Sequence, residues 1–452
     1  MPPMKPHLHG RIYNTTKLIL LAAIALLLPI IPIYLYDNPY LLPDLSENNP
    51  SSFTFVSDNL LPSPSSSGTN NSNETKATTE KTEKPDDDDD DDYDPDDLLE
   101  TTLRRSCNVF KGEWVPFPEG PYYTNETCGE IYDHQNCLKF GRPDTGFMKW
   151  RWKPSDCELK RFNPVWFFKI VRGKTMAFIG DSLARNQMQS LVCLLSHVPV
   201  EATYLPNGKG KRFLYTDYNF TIIFFWSPHL VKTTEDRSKG PVPFPLVNLF
   251  VDEFDDAWTT QVHMLDYVII SAAQWFWRPS MFYENGRRIG CFACNNKRVR
   301  DLTLFYGYSR AFRTAFRAIY GDKNFNGITF LRTYSPGHFD NGAWNEGGTC
   351  TRTKPFRSNE KKLEGHERDF YSTQLQEYRT AESEGMKRGL KFRLLDTTHA
   401  MLLRPDGHPG PYGHPPEEHR TISDCVHWCL PGPTDTWNEL LLHLLKLERS
   451  SV

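Results

Sequence analysis

Long basic runs and basic stripes are absent from this 452-residue chain, which argues against nucleic-acid binding. Cysteine is missing from the first 106 residues, so no disulfide framework can begin before Cys107. Charge is missing from Leu18–Tyr36 (LILLAAIALLLPIIPIYLY), an apolar run of 19 residues. A buried core helix is excluded there, because nothing in the flanking sequence could cover it. Apolar residues are sparse in Asn48–Lys84, where Ser, Asn, Thr and Pro dominate, and Asp86–Asp92 are seven consecutive aspartates. Such a stretch cannot bury enough surface to offset the entropy of ordering.

The formal net charge of −4 hides an asymmetry. Through Leu103 there are 18 acidic and 6 basic residues, whereas the remaining 349 carry 38 and 46, a net of +8. The apolar run is about long enough to span a bilayer. Lys5, Arg11 and Lys17 precede it and Asp37, Asp44 and Glu47 follow it, which sets the N-terminus in the cytosol. A cleaved signal peptide is the alternative, but the run exceeds a usual signal core and no A-x-A-like site follows before Asp37. The expected order is a cytosolic tail (1–17), a transmembrane signal anchor (18–36), a disordered acidic lumenal stalk (37–103) and a folded part. Metal binding by the aspartate run is the weaker reading. Asn70, Asn73, Asn125 and Asn219 head glycosylation sequons on the lumenal side, and Asn14 heads one on the cytosolic side.

All ten cysteines lie in the expected lumenal part, where disulfides form. The rival is zinc held by Cys291-x-x-Cys294 with Cys425 and Cys429, but those spacings fit neither a ribbon nor a finger. A local Cys291–Cys294 bridge, or one bridge from each to a neighbour, fits better. No metal is expected.

Cys107–Phe162 is rich in Cys, Trp, Gly and Pro and lacks helical periodicity, so it reads as loops and short strands pinned by disulfides. Beyond it the pattern turns α/β. Thr175–Ile179 is an apolar run ending in Gly180-Asp181-Ser182, and Ala184–Ser196 has helical spacing with Met188, Leu191, Val192 and Leu195 on one face. Further strands are expected at 220–225, 266–271, 328–333 and 392–395, with helices at 310–320 and 436–447. Strands separated by helices imply a mostly parallel sheet covered on both faces.

Two motifs carry chemistry. A serine after a strand, at the start of a helix, meets backbone N–H groups and a helix dipole that favour developing negative charge. Gly180 permits the turn and Asp181 can brace it; the bland reading is an ordinary helix cap. Near the C-terminus, Asp424-Cys425-Val426-His427 sets a carboxylate three residues before an imidazole. A hydroxyl nucleophile needs a base, and the base needs a partner that fixes its tautomer. Ser182, His427 and Asp424 together resemble a hydrolase-type triad in the chain order of the GDSL/SGNH group.

Longer blocks carry a family resemblance. Cys107-Asn-Val-Phe-Lys-Gly-Glu-Trp-Val115, Gly141-Arg-Pro-Asp144, Trp150-Arg-Trp-Lys-Pro154, Gly180-Asp-Ser-Leu-Ala-Arg-Asn-Gln187 and Asp424-Cys-Val-His-Trp-Cys-Leu-Pro-Gly432 resemble the signatures of the plant trichome birefringence-like family. Arg332–His338 and Trp344–Cys350 fit a further block, and the likeness spans about residues 104 to 447. Gln274–Pro279 and Cys291–Cys294 are most similar to the xyloglucan O-acetyltransferase branch. The resemblance implies an SGNH-like α/β fold with a smaller disulfide-pinned lobe, a Cys/Trp-rich region at 104–165 and a GDS/DxxH acyltransferase domain at 166–452. It also implies pairs Cys107–Cys157, Cys128–Cys193, Cys137–Cys429 and Cys350–Cys425, beside Cys291–Cys294. One departure is Ala273-Gln274 where many members carry Gly-His, which puts the oxyanion geometry at that strand end in doubt.

The implied enzyme sits in the Golgi membrane and moves acetyl from a donor (acetyl-CoA or another carrier) through an acetyl-serine to a cell-wall polysaccharide hydroxyl. No bound cofactor is implied. The Ser182 N–H is one expected oxyanion donor, with Arg185, Asn186 or a group near Gln274 as others. Trp275, Trp277, Trp344 and Trp428 are candidates for stacking on sugar, and Arg332 and His338 for lining the cleft; burial in the core is the alternative for each. An acetylesterase would use the same machinery on water, and a wall-polymer binding protein would not need Ser182.

Overall fold

The computed structural model describes residues 107–206, 208–236, 245–418 and 422–449. The apolar run at 18–36, the acidic stretch, Asn70 and Asn73 lie outside them. Among the described residues, no helix is long and apolar enough to cross a membrane.

A seven-stranded sheet forms the centre. Its strands are β3 (Thr175–Gly180), β4 (Glu201–Tyr204), β5 (Gly210–Tyr215), β6 (Phe220–Trp226), β9 (Tyr267–Ser271), β12 (Ile328–Arg332) and β13 (Lys391–Leu395), in the order β13-β12-β9-β3-β6-β5-β4. The five strands from β13 to β6 run parallel, and β5 and β4 add an antiparallel edge. Two smaller sheets join it. One pairs β1 (Gly112–Pro116) with β2 (Trp150–Pro154). The other is ordered β11-β10-β8-β7, from β7 (Val231–Asp236), β8 (Leu246–Phe254), β10 (Ser280–Glu284) and β11 (Arg287–Phe292).

The helices are α1 (Pro164–Val171), α2 (Ser182–Leu194), α3 (Thr303–Gly321), α4 (Gly365–Met386) and α5 (Asp435–Arg449), with shorter helical turns between them. Asn163 caps α1 by accepting the Trp166 N–H at 3.1 Å, and Pro164 occupies its first position, where no N–H is needed.

Alternation along β3 sorts the core into two apolar layers. Met176 and Phe178 face one layer with residues of α1, α2 and α5, including Phe167, Met188, Leu191, Leu440 and Leu441. Ala177 and Ile179 face the other with Val268, Ile270, Leu331 and residues of α3, α4 and β8. Each large side chain buried this way contributes about 1.5–3 kcal/mol. Val109, Trp114 and Trp152 of the cysteine-rich segment pack into the first layer, so that segment shares its core with the main sheet.

The four-stranded sheet and helices α1 and α4 go beyond the elements expected from the sequence. β7 is mostly exposed and polar, and α4 is strongly charged, so neither shows a clean apolar period. β8 does show one, since Val247, Leu249 and Val251 alternate inward. The five disulfides are Cys107–Cys157, Cys128–Cys193, Cys137–Cys429, Cys291–Cys294 and Cys350–Cys425. No described cysteine is free, and the zinc alternative loses its thiolates.

Candidate active site

The chain leaves the parallel strands at their carboxyl ends, where loops from β3, β6, β9 and β12 converge, the usual position for a ligand crevice in such sheets. β3 ends at Gly180 with φ +152°, and a Cβ there would sit 1.7 Å from the Ser271 carbonyl oxygen at the end of β9. Only glycine lets the two strand ends approach so closely. Asp181 follows, and its carboxylate has two tasks. One oxygen accepts the Leu183 N–H at 2.9 Å and caps α2, and the other accepts the Ala273 N–H at 2.9 Å and ties the turn to β9. Ser182 then opens α2, 8% exposed, where first-turn N–H groups have no intrahelical acceptor.

The partner loop comes from the far end of the chain. Asp424 forms an antiparallel bridge with Gly410, Cys425 is bonded to Cys350, and Cys429 is bonded to Cys137. His427 is therefore held on both sides. Its Nδ1 lies 2.7 Å from Asp424 Oδ2 and its Nε2 lies 2.7 Å from Ser182 Oγ. A carboxylate only accepts, so Nδ1 carries the proton and Nε2 of the neutral ring receives the serine hydroxyl. Asp424 Oδ1 also accepts the N–H groups of His427 (2.9 Å) and Val426 (3.1 Å). Burial alone would push this carboxyl up, but charge on His427 and those hydrogen bonds outweigh it and hold the group well below the usual carboxylate range. The arrangement can deprotonate a hydroxyl at a helix N-terminus and stabilise the imidazolium that forms.

The other candidates divide. Gln274 is half-buried beyond β9 and donates from Nε2 to the Ser335 carbonyl at 3.2 Å. Arg185 sits one turn into α2, with its guanidinium 5.0 Å from the Tyr132 ring and 5.6 Å from the Trp226 ring. Trp226 meets Trp275 edge-on at 5.0 Å, and Arg278 lies 3.5 Å over Trp275. These five side chains form a half-buried aromatic and cationic row beside the serine turn. Trp277 and Trp344 are 41% and 45% exposed.

Four expectations need correction. Asn186 is fully buried and accepts the Trp428 N–H at 2.9 Å while its own amide faces the Trp428 carbonyl at 3.4 Å, so it fastens the catalytic loop from within the core instead of facing a substrate. Trp428 is buried, with its indole N–H donating to Ser335 Oγ at 3.0 Å, which removes it from sugar stacking. Arg332 is buried behind the turn, where it donates to Ser271 Oγ and lies 4.2 Å over Trp437. Burial lowers its guanidinium to about 10 against the pull of the Asp181 carboxylate. His338 is buried against His408 at 2.7 Å, as a partner within the core.

The sequence reading missed His408 and His134. His408 touches the His427 backbone, and the His134 ring packs edge-on against the His427 ring at 5.3 Å. Neither sits in a motif with its partner, so no local pattern marks them.

Comparison with known proteins identifies the family. The GDSL/SGNH-like acyl-esterase family found in Pmr5 and Cas1p matches residues 159–444, and the PMR5 N-terminal domain matches residues 105–158. Protein trichome birefringence-like 19 of Arabidopsis thaliana is 53% identical over 352 residues, covering 77% of this chain and 82% of the relative. Xyloglucan O-acetyltransferases 4 and 1 of Populus trichocarpa are 43% and 40% identical, each match covering 75% of this chain and 81% of the relative.

Proposed function

Because this chain belongs to the trichome birefringence-like family, with its PMR5 N-terminal and GDSL/SGNH-like acyl-esterase regions, we propose that it O-acetylates a plant cell-wall polysaccharide through Ser182, His427 and Asp424. The observation that carries this reading is the unbroken contact from hydroxyl to imidazole to carboxylate. Relatives named for xyloglucan acetylation support xyloglucan as the acceptor, with xylan, mannan and pectin as the other wall polymers to test.

The chemistry runs in two steps. Ser182 Oγ attacks the donor's acetyl carbonyl as its proton passes to His427 Nε2. The tetrahedral oxyanion faces the N-terminus of α2, where the Ser182 N–H and the helix dipole favour it. Collapse breaks the bond to the carrier, which leaves with the proton from His427, and acetyl-serine remains. A sugar hydroxyl then gives its proton to His427, attacks the acetyl-serine and takes the acetyl, and His427 returns the proton to Ser182 Oγ. Asp424 stays ionised and steadies the imidazolium in both halves.

Water in place of the sugar would make an esterase, an outcome the family's acyl-esterase description keeps in view. The row from Arg185 to Trp275 supports transfer, because aromatic faces beside the serine can hold a sugar against the acetyl group. The uncharged run at 18–36 and the sequons at Asn125 and Asn219 support a type II Golgi membrane protein with the site in the lumen. Asn219 is exposed, in a left-handed turn between β5 and β6.

Mass spectrometry of wall oligosaccharides incubated with the full chain and an acetyl donor tests the reading. Acetyl added to an oligosaccharide supports transfer. Acetate released from acetylated glycan without dependence on an acceptor assigns an esterase, and undiminished turnover by Ser182→Ala removes the nucleophile.

A further inference from the structure

Behind the catalytic loop, four groups form a line. The Leu402 carbonyl lies 2.9 Å from His338 Nε2, His338 Nδ1 lies 2.7 Å from His408 Nε2, and His408 Nδ1 lies 2.7 Å from the carbonyl of His427 itself. Both rings are buried. The two ends of the line are carbonyl oxygens, which only accept, so His338 Nε2 and His408 Nδ1 must both carry protons. A neutral imidazole has one N–H. Two neutral rings with those protons would bring two lone pairs together at 2.7 Å. All three contacts can be hydrogen bonds only if the pair holds a third proton, shared between His338 Nδ1 and His408 Nε2.

We propose that His338 and His408 form a proton-sharing pair of positioning residues, which braces the backbone of His427 against Leu402 when it carries one extra proton and loses that unbroken brace when it does not. The proposal rests on His427 being the catalytic base. In the neutral pair either the ring-to-ring bond or one of the two carbonyl bonds must be given up, and whichever goes, the unbroken line from Leu402 to His427 is lost.

The surroundings set where the change falls. Burial opposes charge on both rings, taking His338 to about 4 and His408 well below the ordinary imidazole value. Lys361 and Arg404 add to this at His338, and the neighbouring His427 adds to it at His408. Arg142 donates to the His408 carbonyl at 2.7 Å, and Arg404 is paired with Asp406. On the other side, the Asp424 carboxylate favours a charged His408, and Trp428 stacks on that ring at 4.0 Å, a face that attracts a cation. The changeover therefore lies on the acidic side of neutrality. The closed line is complete below it and is lost as pH rises through it.

His427 must be neutral to act, so the rate of the unaltered chain climbs with pH while the brace weakens, and the pair shows in that rate taken relative to a variant that cannot share the proton. Fluorophosphonate labelling of Ser182 in the full chain, followed by mass spectrometry from about pH 4 to 8, reads this without glycan or acetyl donor. The expected labelling rate, divided by that of His338→Gln, declines severalfold as pH rises. In His338→Gln the amide can still donate to Leu402 and no ring nitrogen faces His408, so His408 keeps its bond to His427 whatever the pH. A ratio that stays constant across this range overturns the proposal. No labelling at any pH refutes Ser182 as nucleophile instead. Nitrogen-15 spectra of histidine-labelled full chain decide the matter even if the variant does not fold. A coupling across the His338–His408 hydrogen bond at acidic pH supports the shared proton, and two neutral rings throughout overturn it.

Discussion

The side-chain amide of Asn186, on the helix that begins with Ser182, meets both backbone polar groups of Trp428, the residue after the catalytic histidine. Nucleophile and base are thus set against each other by a contact involving neither. Asn186→Ala leaves the Trp428 N–H buried without its acceptor, a cost of about 1–3 kcal/mol. The expected result is a kcat lower by about a hundredfold, since small misplacements of reacting groups are that expensive. Steady-state kinetics beside thermal unfolding separate the two effects, and a kcat equal to that of the unaltered chain would count against the role.

Ser182→Ala and His427→Ala should each lower acetyl transfer by at least about a thousandfold, and Asp424→Asn by about ten-thousandfold through the wrong tautomer. Ser182 Oγ bonds only to His427 among the contacts found for it, so Ser182→Ala should unfold within a few degrees of the unaltered chain. Residual turnover and circular dichroism melts check both halves.

Breaking Cys350–Cys425, which closes a loop with a sequence separation of 75, should cost about 4 kcal/mol of stability. It also frees one of the two anchors beside His427. The Cys350→Ala/Cys425→Ala chain should therefore lose activity at temperatures where circular dichroism still reports a folded protein. Activity that falls only in step with unfolding would contradict this.

Asp435 gives a pH prediction away from the site. It is buried and accepts from Ser190 Oγ at 2.6 Å and Tyr123 Oη at 2.8 Å, and burial outweighs these donors to raise its carboxyl to about 6. The folded chain then holds a proton that the unfolded chain releases near the ordinary value of about 4. Stability should fall as pH rises from about 4 to 6, by about 3 kcal/mol from this group, and stay level above. Denaturant titrations at several pH values should show that slope flattened in Asp435→Asn.

The sequence by itself determined the family, the strand–turn–helix around Gly180-Asp181-Ser182 and the carboxylate–imidazole pair, because each depends on residues close together along the chain. Short apolar runs and helical spacing likewise marked the parallel strands of the main sheet and the helix after β3. Tertiary structure decided the rest. Whether Asn186, Trp428, Arg332 and His338 meet substrate or support the loop depends on which surfaces bury them, and burial is set by elements hundreds of residues away. The smaller sheet escaped notice where exposed strands such as β7 need no apolar pattern. His408 reaches the catalytic loop only because the fold returns residues 402–410 beneath it, a closeness that chain order does not encode.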